Sequence, residues 1–211
     1  MMKRRTLRIS LFIFLLIAVQ IATGQNSYRD RQMQPERLMD SLGVKPGMII
    51  GEAGAGQGYF TFWLSKRVGE TGKVYANDID ESALRSIRNQ CNREGIENIE
   101  TIVGEVEDPL FPPQQMNLVV MMYVFHDLEK PVAFMKNVKR ALKPGAHVGI
   151  IDRDPDKYSV DRYHFLTKEK ILKYLDQAGY EIVEIETFLE RENVYICRPI
   201  DATPSLSTKS E

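Results

Sequence analysis

The chain has 211 residues with a formal net charge of −1, and 43% of its side chains are apolar against 27% charged. That is enough for one globular domain and little else. The balance, without a basic run, argues against nucleic acid as a partner, and two cysteines with no Cys-x-x-Cys or His/Cys cluster at metal spacing give no sign of a disulfide scaffold or a metal site.

The first 24 residues stand apart from that domain. Lys3, Arg4, Arg5 and Arg8 precede an apolar run from Ile9 to Val19, and Ala22-Thr23-Gly24 puts small residues where a signal peptidase cuts. Residues 1–24 therefore read as a secretory signal peptide, cleaved before Gln25. The alternative is an uncleaved membrane anchor, though Ile9 to Thr23 is short of the roughly 20 apolar residues a span needs. Either way the basic residues stay cytoplasmic and the domain is exported, periplasmic or secreted, touching the membrane only if the segment is retained. Cleavage removes four of the 28 Lys+Arg and none of the 29 Asp+Glu, leaving a formal charge of −5.

Gln25 to Gln34 is polar and expected to be loose. Pro35 to Leu42 reads as a short helix with proline in its first turn, ended by Gly43 and Pro46-Gly47. Met48 to Ala53 is an apolar run suited to a buried parallel strand. Gly54, Gly56 and Gly58 then alternate before an amphipathic helix, Tyr59 to Val68. A second strand, Lys73 to Asn77, ends on Asp78-Ile79-Asp80. The next helix, Ser82 to Glu94, carries Ala83, Leu84, Ile87 and Cys91 on one side. Strand three is Ile99 to Val103, ending at Gly104-Glu105-Val106. Strand four is Met116 to Met122, followed by a helix from Pro131 to Leu142, a turn at Lys143-Pro144-Gly145, and strand five, Ala146 to Ile151. An irregular acidic loop, Asp152 to His164, leads to a helix from Lys168 to Ala178, then to strands Tyr180 to Leu189 and Val194 to Arg198. The tail from Asp201 is expected to be disordered. Strands alternating with helices, then two strands in succession, indicate an α/β sheet with a terminal hairpin in one domain, 25–200. Cys91, on a helix, and Cys197, on the last strand, are expected as free thiols, the first half-exposed.

The glycine turn sets the chemistry. A dinucleotide fingerprint, G-x-G-x-x-G, seats a pyrophosphate on a helix N-terminus. Here the third glycine comes one residue early, as Glu52-x-Gly54-x-Gly56-x-Gly58, and no Lys with Ser/Thr follows to grip phosphate. The pattern resembles motif I of the class I S-adenosylmethionine (SAM) methyltransferases, which receives an amino-acid moiety. The resemblance extends in register from about Leu38 to Pro199. It implies a three-layer, Rossmann-like fold with a seven-stranded, mostly parallel sheet, and SAM as cofactor.

The resemblance also implies roles for particular residues. Asp78, closing strand two, matches the acid that accepts from both ribose hydroxyls. A helix cap is the alternative for it, although Asp80 or Ser82 suits that position better. Glu105 stands where the family commonly has Asp facing the adenine amino group, with the Val106 N–H toward the ring; a solvated loop carboxylate is the alternative. Glu52 matches an acid near the methionine ammonium, or else braces the loop. Ile79 and Tyr123 complete the implied cofactor contacts. After strand four, Tyr123-Val124-Phe125-His126-Asp127-Leu128 resembles the His-His-Leu of small-molecule methyltransferases, with Asp127 in place of the second histidine. The Asp/Asn-Pro-Pro-Tyr/Phe signature of base and amino-group methyltransferases is absent, so a small-molecule acceptor is expected.

Methyl transfer from a sulfonium is an in-line displacement that needs a base only for a protonated acceptor. His126 is the candidate base, since its ordinary pKa lies near neutrality, with Asp127 placed to orient it; a histidine that only pins the loop is the alternative. Asp152, Arg153, Tyr163 and His164 supply candidates for the acceptor rim. An exported SAM-binding protein without catalysis is the competing reading, because SAM is made in the cytoplasm.

Overall fold

The structure, a computed structural model, describes residues 28–157 and 164–200. The expected signal segment, the tail from Asp201 and Tyr163 lie outside the described residues. Seven strands form one sheet: β1 (Ile49–Ala53), β2 (Lys73–Asp78), β3 (Ile99–Val103), β4 (Met116–Met122), β5 (Leu142–Arg153), β6 (Tyr180–Glu186) and β7 (Glu192–Pro199). Their order is β3-β2-β1-β4-β5-β7-β6. Strands β1 to β5 pair in parallel, while β7 runs antiparallel to both β5 and β6. This is the expected α/β methyltransferase architecture.

Alternation along each strand divides the core between the two faces. Leu118, Val120 and Met122 of β4 pack with Leu38 and Met39 of α1 (Pro35–Ser41) and with Phe60, Leu64 and Val68 of α2 (Tyr59–Val68). On the same side, α3 (Glu81–Glu94) sets Leu84 and Ile87 against Ala76. Val119 and Met121 face the other way, against Phe134, Met135 and Val138 of α4 (Pro131–Ala141) and Ile171 and Leu175 of α5 (Lys168–Gln177). Burying each such side chain contributes about 1.5–3 kcal/mol before chain entropy is charged against it. The strand order reverses between β1 and β4, and in such sheets ligands bind in the crevice at the carboxyl ends of those strands.

Several local expectations change. Residues 28–33 are helical, not loose. Asp30 accepts a 2.9 Å hydrogen bond from the Tyr59 hydroxyl, the Arg29 guanidinium lies 3.6 Å from the Tyr59 ring centre, and Met33 is buried. The Lys143-Pro144-Gly145 turn falls inside β5, as a bulge. Met116 pairs with Leu142, but Leu118 pairs with His147, so the extra β5 residues arch outward, with Gly145 at φ 77°. Strand β6 stops at Glu186, and Leu189 is instead a buried plug in the hairpin loop. Cys91 is a free thiol but is buried at 9% exposure rather than half-exposed, because it packs against Leu84 and Ile87. Cys197 is also free, and burial pushes its thiol up to about 12.

Candidate active site

The turn after β1 takes positive φ at Gly54, Gly56 and Gly58 (74°, 53° and 90°). Gly54 tolerates nothing larger, since a Cβ there would lie 2.1 Å from Cγ2 of Val124. The turn is tied to β2 by a carboxylate. Gly56 N–H donates to Asp78 Oδ2 at 2.8 Å, while Asp80 N–H donates to Asp78 Oδ1 at 2.9 Å. The helix cap is Asp80, which accepts from Ser82 N–H at 2.8 Å. Asp78 is therefore left free of capping duty, at the mouth of the crevice.

A cavity of about 350 Å³ opens there. Gly54, Asp78, Ile79, Glu105, Val106, Tyr123, Asp127, Leu128 and Phe134 line it. Ile79 and Val106 are 65% and 45% exposed, an apolar pair held open with no side chain of the core covering them. Asn77 braces the floor by donating to the carbonyls of Ile102 and Pro109 at 3.2 and 3.0 Å. Gly56 and Gly58 shape the turn without lining this cavity. A larger hollow of about 740 Å³ runs along α2 past Gly58, Phe62 and Trp63. It lacks the acids of the strand ends, so the smaller cavity is the better candidate.

Glu52 sits behind the turn at 2% exposure, with the Thr61 hydroxyl donating to its Oε2 at 2.5 Å. Burial pushes its carboxyl up to about 8, against the opposing pull of that hydrogen bond and of the Arg29 charge. The structure thus keeps Glu52 off the cavity wall, where burial favours its protonated form.

Past β4 the backbone reverses at Tyr123, a non-glycine residue at φ 60°, a conformation that costs about 1–2 kcal/mol. Two contacts hold it. Tyr123 N–H donates to the Ile151 carbonyl at 2.9 Å, and its hydroxyl donates to Glu192 at 2.5 Å, where Glu192 is buried. The reversal sets Val124 on Gly54 and starts a 3-10 turn, Phe125–Asp127. His126 is then fixed twice by Asp152, whose Oδ2 accepts from the His126 N–H at 3.0 Å and whose Oδ1 lies 2.7 Å from Nδ1. Asp152, at 1% exposure, is thus no part of a solvated rim; it is the residue that orients the imidazole. The exposed Asp127 reaches only the other nitrogen, with Oδ2 3.5 Å from Nε2. Burial works against charging His126, but the hydrogen bond and charge of Asp152, with the charge of Asp127, outweigh it and raise its pKa. The guanidinium of Arg153 lies 5.4 Å from the Tyr123 ring centre and 5.0 Å from that of Phe165.

Comparison with known proteins accords with this geometry. Residues 50–145 match the family model for a methyltransferase domain. Over 163 residues the chain is 29% identical to the ubiquinone/menaquinone biosynthesis C-methyltransferase UbiE of Hydrogenovibrio crunogenus, covering 74% of this chain and 64% of that protein. A solved SAM-dependent methyltransferase from Aquifex aeolicus superposes with a TM-score of 0.75 at 28% identity, covering 80% of this chain and 91% of that one. The chain is similar in sequence and fold to the class I SAM-dependent methyltransferases. It spans less than two thirds of the length of the UbiE relatives, 64% of the first and 55% of one from Shewanella pealeana. The geranyl diphosphate C-methyltransferase of Streptomyces coelicolor shares the fold, with a TM-score of 0.68 at 13% identity, covering 82% of each chain.

The residues present in this cavity fit SAM. Asp78 retains acceptor capacity for a diol after its two backbone contacts, since a carboxylate has about four lone-pair sites. The open Ile79–Val106 pair suits a flat base. Sequence reasoning missed Glu192 under Tyr123, Thr61 on Glu52, Asn77 beneath the floor, and the pairing of Asp152 with His126. It also missed that His164 comes back to stand beside His126, with ring centres 5.0 Å apart.

Proposed function

We propose that this chain transfers the methyl group of SAM to a small-molecule acceptor. The observation that carries this reading is the cavity at the β1–β4 crevice, lined together by Asp78, exposed Ile79 and Val106, and Tyr123, Val124 and Asp127. When bound, SAM supplies a methyl group already activated on a sulfonium. Asp78 would hold the ribose diol, Ile79 and Val106 the faces of the adenine, and Glu105 its amino group. Gly54, on the cavity wall without a side chain, would leave main-chain atoms bare for the amino-acid end, while Gly56 and Gly58 shape the turn and buried Glu52 stands behind it.

On the acceptor side, Asp152 holds His126 through Nδ1 and turns Nε2 toward Asp127, which lines the cavity; from just behind that wall Nε2 would take the proton of an acceptor as its oxygen, nitrogen or carbon attacks the methyl group. The relatives' role in ubiquinone/menaquinone biosynthesis supports a small molecule over a nucleic acid or a protein. Calorimetry with SAM is the first test; no heat at high micromolar ligand would sink the reading. S-adenosylhomocysteine production is then followed over a panel of phenol, quinol, thiol and amine acceptors. We further infer export by residues 1–24, which N-terminal mass spectrometry of protein from native cells checks. A mature chain beginning at Gln25 is the expected result.

A further inference from the structure

We propose that His126, Asp127 and His164 form a three-ligand site for a divalent transition-metal ion. One ligand atom from each, two imidazole nitrogens and one carboxylate oxygen, can be chosen so that all lie within 4.8 Å of one another. Asp127 Oδ2 is 3.5 Å from His126 Nε2, and Asp127 Oδ1 is 3.8 Å from His164 Nε2. Around a tetrahedral zinc ion, with ligand bonds of about 2.0–2.2 Å, such atoms sit roughly 3.3 Å apart. The required contraction falls on Asp127 and His164, whose side chains are 62% and 53% exposed and free to swing, while the His126 ring stays fixed.

A second observation separates this cluster from a chance meeting of polar groups. Metal-bound imidazoles almost always donate the other ring N–H to a carboxylate, which sets the tautomer and raises ligand basicity. His126 has that arrangement, with Nδ1 2.7 Å from the oxygen of buried Asp152 and Nε2 turned toward Asp127 and His164. Phe165 stands edge-on beside both, its ring centre 4.6 Å from that of His126 and 4.8 Å from that of His164. An ion pair between exposed Asp127 and His164 would by itself stabilise little. Two carboxylates, Asp127 and Asp152, face one nearby guanidinium, that of Arg153, so the local charge does not repel a cation.

Two imidazoles and one carboxylate select zinc, ferrous iron, cobalt or nickel over magnesium and calcium, which prefer all-oxygen shells. Three protein ligands leave positions open on an ion at the rim of the cavity, since Asp127 lines it. Where the methyl-transfer reading also holds, an ion there would bind an acceptor oxygen and lower its pKa, so that His126 would act as a ligand in place of a free base. The binding claim itself does not rest on that reading.

The test uses the full chain, stripped with a chelator and titrated with Zn²⁺ by calorimetry and with Co²⁺ by visible absorption. One equivalent should bind, with the ligand-field bands of four- or five-coordinate Co²⁺. His164→Ala and Asp127→Ala should each weaken Zn²⁺ at least roughly tenfold, and Asp152→Asn by about 10–100-fold. The first two positions are exposed, so these variants spare the fold, whereas His126→Ala would strip the buried Asp152 carboxylate of its imidazole partner. The proposal is overturned if the wild type takes up no Zn²⁺ at 100-fold excess, if the Asp127→Ala/His164→Ala double variant binds as tightly as wild type, or if Mg²⁺ binds as tightly as Zn²⁺. SAM titrations on the same preparations keep the two readings apart. SAM heat without Zn²⁺ binding removes only this proposal, and Zn²⁺ binding without SAM heat removes only methyl transfer.

Discussion

The carboxylate of Asp78 receives the backbone N–H of Gly56 at 2.8 Å, tying the end of β2 to the glycine turn that follows β1. One side chain thus shapes the turn and faces the cavity beside it. Replacing Asp78 with Ala should weaken SAM binding at least about tenfold, the scale of a lost charge-assisted hydrogen bond. Asp78→Asn keeps one oxygen for the Gly56 N–H but sets its amide NH2 against the Asp80 N–H, so its melting temperature should fall less than that of Asp78→Ala while affinity is still lost. Calorimetry paired with thermal unfolding checks both, and unchanged affinity in Asp78→Ala would remove the ribose role.

Gly54→Ala should destabilise the protein by about 2–4 kcal/mol, through a Cβ driven into Val124 and a φ of 74° that alanine resists. Val124→Ala in the same chain clears the overlap but not the backbone strain. Urea unfolding of the two single variants and the double should therefore show recovery of about half the loss. Strict additivity would mean that Val124 does not meet residue 54 in solution.

Burial holds the Glu52 carboxyl at about 8, whereas the unfolded chain loses that proton near the ordinary carboxylate value of 4.5. Between those values the folded state binds the extra proton, so stability from this group falls as pH rises and levels off above about 8. Glu52→Gln has no proton to lose. Its melting temperature relative to wild type should climb across that window, and a difference that is flat from pH 5 to 9 would contradict the burial.

Tyr123→Phe strips the partner from the buried carboxylate of Glu192, which should cost about 1–3 kcal/mol. Chemical denaturation measures it. The companion Glu192→Gln should cost less, since the amide oxygen still accepts from the Tyr123 hydroxyl.

How far the sequence speaks depends on whether a contact is local. Helix α2 and strands β3 and β4 have the bounds their apolar periodicity indicates, because glycine, proline or a turn brackets each run. The helix at 28–33 is polar and gives no such signal; Tyr59, a distant residue, holds Asp30 and Arg29 in place. Asp78, Ile79, Glu105 and Val106, implied as site residues by the methyltransferase resemblance, do line the cavity, because they close or shortly follow β2 and β3 and the strand ends of a parallel sheet converge. The partners of His126 and Tyr123 could not. Asp152 reaches His126 only because β4 and β5 align Met122 with Ile151, and Glu192 reaches Tyr123 only because β7 returns antiparallel along β5. Pair register of that kind is a property of the assembled sheet, and no run of residues announces it.

Val124 resting on Gly54 has a kinetic meaning. Because Val124 fills the space beside Gly54, the segment bearing His126 and the bend that would cradle the methyl donor are packed as one piece, and the two substrates should bind in a compulsory sequence, donor first, with the empty protein a poor host for the second.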